Sequence, residues 1–312
     1  MTEGAYELNA GQVIVTPAGA EPPNGTWTQA GAGAAAVTLN GAATGFSNRG
    51  NATGGAGGSG GDGYYAIGRP GGEGGAAVRS DATGATVTND GVLNGGAGGA
   101  GGVESPFQRG LGGTGGVGAD FASAGTLNNT GSITGGVGGL GGVGPGSGGA
   151  GVRADAGGSI FNSGEIVGGS GGASDIGFVA GGSGIVGADL TIVNSGTITS
   201  GSEQAAAVLF TGGTNTLEIH GSSVINGAVI ANGTNDTLIF GGTQDGTFDL
   251  GQFASGSIGG FESYEKAGSG TWTMVGYVGG APTGQIKEGT LQVGDGSQSA
   301  TIEGANGVDG DT

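Results

Sequence analysis

The stretch Ile160-Phe161-Asn162-Ser163-Gly164-Glu165-Ile166 decides the fold, because the chain repeats it. Upstream stand Val87-Thr88-Asn89-Asp90-Gly91-Val92-Leu93 and Leu127-Asn128-Asn129-Thr130-Gly131-Ser132-Ile133, and downstream Ile192-Val193-Asn194-Ser195-Gly196-Thr197-Ile198. Phe46-Ser47-Asn48-Arg49-Gly50 is a degenerate first copy. The common pattern is apolar-x-Asn-x-Gly-x-apolar, and Asn48, Asn89, Asn129, Asn162 and Asn194 are separated by 41, 40, 33 and 32 residues. Periods of this size mark stacked units that bury one another's apolar faces. A second signature precedes each later copy: Val78-Arg79-Ser80-Asp81, Val117-Gly118-Ala119-Asp120, Val152-Arg153-Ala154-Asp155 and Val186-Gly187-Ala188-Asp189. Each repeat therefore holds two short strands, with Asp81, Asp120, Asp155 and Asp189 in equivalent places. Asn and Asp at strand ends accept the left-handed conformation and bond neighbouring backbone groups, which suits a repeated corner. Stacked Asn side chains can also bond one another along the axis, so the five Asn residues read as structural.

Between the strands lies glycine, which supplies 86 of 312 residues. Without a collagen period such a content ordinarily signals disorder, but here β-branched residues punctuate the tracts at regular sites. Gly54 to Gly75 and Gly95 to Gly116 are long tracts; Gly135 to Gly149 and Gly168 to Gly182 are shorter ones. Much of each reads Gly-Gly-x, as in Gly95-Gly96-Ala97-Gly98-Gly99-Ala100-Gly101-Gly102. A period of three matches the threefold polyproline II helix, and predicts arms that run out and back as extended pairs beside the main coil. The tips of the two long tracts carry Tyr64, Tyr65 and Arg69, and Phe107 and Arg109. Aromatic residues and Arg are favoured at binding hot spots, so these five are candidate contact residues.

Net charge of −18 argues against nucleic acid as a partner. The absence of Cys removes disulfides and thiolate metal sites. Glycine costs about 1 kcal/mol per residue in a helix, which excludes helix from nearly all of the chain. Residues 1–40, with Pro17, Pro22 and Pro23, read as an N-terminal capping segment. Residues 41–200 hold the Asn-x-Gly repeats and their arms. Residues 201–312 become a regular β-helix, with Asn215 and Asn235 spaced like one short coil.

Glu265-Lys266-Ala267-Gly268-Ser269-Gly270-Thr271-Trp272-Thr273, followed by Gly284-Gln285-Ile286-Lys287-Glu288-Gly289-Thr290-Leu291-Gln292-Val293, resembles the autotransporter-associated β-strand repeat. The Asn-Gly units in their glycine-rich setting also resemble bacterial autotransporter passenger domains. This resemblance covers roughly residues 41–300. It implies an all-β fold, a right-handed parallel β-helix (solenoid), carried to the cell surface by type V secretion. No signal peptide and no C-terminal membrane barrel pattern is read in the sequence, so an excised passenger is expected, tied to a membrane only through that barrel. The long arms depart from the usual passenger and look more like glycine-rich tracts of mycobacterial surface proteins.

Chemistry is sparse. The one histidine, His220, stands at a strand end without a nucleophile elbow. Gly233-Thr234-Asn235-Asp236-Thr237-Leu238 resembles calcium β-roll units, but its companion at Gly213 lacks the Asp. The two lysines, Lys266 and Lys287, fall within the strand-repeat motif, which weakens a polysaccharide-active enzyme reading. The expectation is a non-catalytic, extracellular surface protein without cofactor or metal, an adhesin or spacer. Its partner would be a surface glycan, a host or abiotic surface, or copies of itself; a self-assembling matrix or sheath protein is the alternative.

Overall fold

The computed structural model describes residues 6–8, 13–15, 30–41, 45–62, 68–104, 108–142, 144–173, 180–281 and 283–304. Among these, the chain is a parallel β-helix whose coil has three faces, with strands paired in parallel from one rung to the next. A representative rung runs from Thr86–Asn89 on the first face to Val92–Asn94 on the second, out and back through an arm, then to Ala119–Phe121 on the third. The first face forms a sheet of ten strands, the third of eight and the second of seven. These sheets pass through both expected segment boundaries, at 40 and at 200, without interruption. Among the described residues helix is confined to Gly251–Ala254.

Register follows the apolar side chains that point inward. Val87, Leu127, Ile160, Ile192, Leu217 and Leu238 align along the first face, and Ala52, Leu93, Ile133, Ile166 and Ile198 along the second. Val78, Ala119, Val152, Ile185, Val208 and Val229 align along the third. All of these are fully or almost fully buried. A slip of one residue would turn a whole column outward, so the pattern fixes pairing tightly.

That register corrects the reading of the Asp signature. Val78 pairs with Ala119 rather than Val117, so Asp120 lies between Arg79 and Arg153 instead of in line with Asp81 and Asp155. Burial of the apolar column sets the alignment, and it also keeps like charges from stacking.

The five Asn residues form a continuous internal ladder. Asn48 Nδ2 donates to Asn89 Oδ1 at 2.6 Å, and the next three links, Asn89 to Asn129, Asn129 to Asn162 and Asn162 to Asn194, are each 2.8 Å. Each amide also donates to a backbone carbonyl of the following rung, at Val92, Ser132, Glu165 and Thr197. An amide carries both a donor and an acceptor and can stack on its own kind; an ionised Asp would be repelled. After Asn194, which donates to Ser223 Oγ, the column continues as Ile219, Phe240 and Lys266. The corner works through these bonds rather than through left-handed backbone: among the described non-glycine residues only Asp189 and Asn235 have positive φ.

The stretch from Glu265 to Thr273 forms a turn and a strand of the C-terminal coils. Lys266 is 2% exposed, and its ammonium donates to the carbonyls of Ala267, Gly268 and Glu288 at 2.6, 2.6 and 3.2 Å. Gly268 has φ +69°, and a Cβ there would lie 2.2 Å from Gly242 O. Trp272 Nε1 donates to Gly241 O at 3.0 Å, and its ring meets Phe240 edge-on. Lys266, Gly268 and Trp272 thus hold a turn or fill the core.

Candidate interaction surface

The glycine tracts extend the second and third faces outward as two layers of polyglycine II helix. Within one arm the helices run antiparallel: Gly72 N donates to Gly58 O and Gly75 N to Gly55 O. The second arm repeats this with Gly113 to Gly99 and Gly116 to Gly96, and the third with Gly146 to Gly139 and Gly149 to Gly136. Between rungs, outgoing helices bond in parallel, as in Gly57 N to Ala97 O and Gly98 N to Val137 O. Returning helices do the same, as in Gly74 N to Thr114 O and Gly115 N to Ser147 O. Among the described residues the out-and-back arms expected from the period of three are therefore present, with two of every three amides bonded to a neighbouring helix.

The triplet has a division of labour. The first glycine amide bonds within its layer, the second bonds across to the other layer, and the third residue points outward, as threefold symmetry requires. A Cβ on Gly98, a first position, would sit 2.0 Å from Gly113 O in the facing layer. A Cβ on Gly99, a second position, would sit 2.0 Å from Gly58 O on the neighbouring helix. Where both first and second positions are glycine, as from Gly95 to Gly102, only the third position has room for a side chain. Beyond residue 200 the arms stop, and Gly227, at φ +125°, links Val224–Asn226 directly to Ala228–Ala231.

This geometry places the sequence candidates unequally. Tyr64, Tyr65 and Phe107 lie outside the described residues. Arg69 occupies the second position of a triplet, with its amide bonded to Gly61 O, and is only 8% exposed. It is thus not an exposed contact in the described chain, because the inward place in the period of three holds it. Arg109 is half-buried, paired in register with Val103 and backed by Gly142 of the next arm.

The slab instead presents two unlike faces. The returning face is continuous with the third coil face, where Arg79, Asp120 and Arg153 stand in line. Arg153 Nε and Nη2 reach Asp120 at 2.9 and 3.1 Å, and Arg79 Nη1 reaches it at 3.0 Å. Arg79 also bonds Asp81 at 2.9 Å. Asp120 raises the Arg153 pKa through its hydrogen bond, against the opposing effect of burial. A polar cavity of about 230 Å³ beside this row is lined by Glu73, Thr114 and Val117 as well as both Arg residues. Arg79, Asp81, Asp120 and Arg153 are mutually paired, which makes the row a structural clamp between rungs.

The outgoing face carries exposed apolar side chains: Val103, Val137 and Leu140 are 45, 48 and 38% exposed, with Ser59 and Ser170 exposed beside them. Ala56, Ala97 and Ala100 lie among them as third residues of their triplets. Neither this face nor the Arg–Asp–Arg row was apparent from the sequence. The signal was the third residue of each Gly-Gly-x triplet, which needs the arm register to be read.

At the far end of the coil, Phe240, Tyr264, Met274, Ile286 and Leu291 line an apolar cavity of about 300 Å³. Burial pushes the Tyr264 phenol up to about 12. His220 Nε2 pairs with Glu218 at 2.8 Å on the surface. Asp236, the calcium candidate, receives the backbone amides of Asn215 and Gly233 and the Asn215 side chain, so its carboxylate serves the turn. Among the described residues no group of three or more His, Asp or Glu is placed to hold a metal. No protein-family model matches the chain, and neither does any curated protein or solved structure.

Proposed function

We propose that this chain is a non-catalytic display scaffold of a bacterial surface, an autotransporter-type passenger that acts as spacer or adhesin. The observation that carries the reading is the slab. Two layers of polyglycine helix bond amide to carbonyl and continue the sheets of the coil, giving a broad flat blade that side chains decorate on the outside only. Such a blade is preorganised, so binding through it costs little ordering entropy. An enzyme would gain nothing from it, whereas a protein that must hold a surface at a distance would. The strand-repeat motif around Lys266 and Trp272 supports the autotransporter assignment. The polysaccharide-active alternative lacks support from the lysines, since Lys266 caps a turn and Lys287 pairs with Glu265 at the surface.

Expression of the protein in its native cell, followed by external protease treatment and antibody labelling, tests this reading. Surface labelling that external protease removes is expected. Labelling only after lysis would overturn it.

A further inference from the structure

We propose that the outgoing face pairs with the same face of a second copy of the chain, so that the displayed blades associate laterally in a two-fold manner. The inference deepens the display reading by naming the partner of its slab. Three observations carry it: chemistry, charge and area.

The outgoing helices continue the second coil face without a break, since Thr53 pairs with Asn94 and the next amide, Gly54 N, bonds Asn94 O. The outward column of that coil face reads Thr53, Asn94, Thr134, Val167 and Thr199. Beside it lie Ala56, Ala97, Val137 and Ser170, then Ser59, Ala100 and Leu140, then Val103. Among the described residues ionisable groups appear at the margins alone: Asp62, whose carboxylate accepts from Val103 N, and Glu165 at the start of a strand. The result is a largely uncharged sheet in which Ala, Val and Leu side chains stand among Thr, Asn and Ser.

The chain carries a net charge of −18, so two copies repel over most orientations. The opposite side of the slab carries Glu73, Asp81, Asp120, Arg79 and Arg153. The outgoing face is where two copies can meet without bringing carboxylates together. An isologous pair needs a self-complementary patch, and a flat uncharged sheet complements itself.

The area suffices. Three strand residues and about nine arm residues give the first two rungs a width of roughly 38 Å at ~3.3 and ~3.1 Å per residue, and the width falls to roughly 28 Å at the fourth rung and to the strand alone at the fifth. At ~4.8 Å per rung the five rungs present roughly 700 Å² per copy. That approaches the share of each partner in a standard interface. With small side chains and no buried anchor, the affinity falls in the micromolar range, on the order of 1–100 µM. Copies crowded on one surface would pair far more readily than copies in solution.

Sedimentation equilibrium of the purified chain from 1 to 300 µM tests this. A mass that rises from one copy to two is expected, and it should persist or strengthen at 1 M salt, where repulsion is screened. The double variant Val137→Glu, Leu140→Glu places four unpaired charges in the pair and should weaken it at least about 100-fold. Phe161→Glu, on the first face, should leave the association unchanged. Both variants sit at exposed positions, and an unaltered circular dichroism melt verifies their fold. A wild-type chain that stays monomeric at 300 µM overturns the pairing, as does undiminished association of the double variant. Either result leaves the surface-display reading standing, because external protease accessibility measures that separately.

Discussion

Gly99→Ala separates a packed slab from a flexible loop by the sign of its effect. Replacing Gly by Ala in a mobile segment stabilises by about 0.4–1 kcal/mol, because the unfolded chain loses freedom. In the slab the new Cβ would lie 2.0 Å from Gly58 O and 2.9 Å from Gly57 O. Ordinary contact needs more than 3.4 Å, so the two outgoing helices must separate by over 1 Å. Gly99 donates to Gly72 O and accepts from Gly113 N, both at 2.8 Å, and displacement strains both bonds. Each bond is worth about 1 kcal/mol net, and each buried group left unpaired costs about 1–3 kcal/mol. The expected loss is about 3–5 kcal/mol, concentrated in the arms, because repeat structures open locally. Hydrogen exchange read by mass spectrometry on peptides from the first three arms is the assay. Ala100→Ser, at the adjacent outward position, serves as control and should change stability by less than about 0.5 kcal/mol. Stabilisation by Gly99→Ala, or equal effects of both substitutions, would refute the layered packing.

Asn129→Ala removes the middle of the Asn ladder, leaving Asn162 Oδ1 without the donor 2.8 Å away, and should cost about 2–4 kcal/mol in urea unfolding. Asn129→Asp should be at least as harmful, because the carboxylate cannot donate onward. Lys266→Met abandons three carbonyls beside the closing turn and should cost about 2–3 kcal/mol, read as a lower midpoint of the C-terminal transition. For Tyr264, the folded phenol titrates at about 12 against an ordinary 10, so the folded chain holds its proton longer. Stability is then fully present below pH 10 and declines as pH rises from 10 towards 12. Tyr264→Phe should abolish that share of the alkaline loss in a pH series of thermal melts.

Much of the fold was legible because its determinants are local and periodic. The apolar-x-Asn-x-Gly pattern announced both strands and a stacking ladder, and the structure adds the reason for its glycine. A Cβ on Gly131 would lie 2.1 Å from Gly91 O of the preceding rung. The Gly-Gly-x period likewise announced the arms. What failed was alignment between motifs. The string Val117-Gly118-Ala119-Asp120 looks like Val78-Arg79-Ser80-Asp81, yet the inward column places Asp120 beside Arg79. Lateral register is a tertiary property, fixed by burial rather than by the resemblance of short strings. Arg69 failed for the same reason: its place in the triplet, not its distance from the tip, determines its exposure.

Amide exchange resolved to single residues along Gly95 to Val103 tests the central claim most directly. Gly98 and Gly99 donate to Val137 O and Gly72 O, while among the described residues Ala97 and Ala100 have no backbone acceptor and face outward. The polyglycine II slab predicts two slow amides followed by one fast amide, repeated every three residues, with the slow ones protected to about the same degree as Asn129 in the coil. Uniformly fast exchange through the tract, or protection without a period of three, would contradict it.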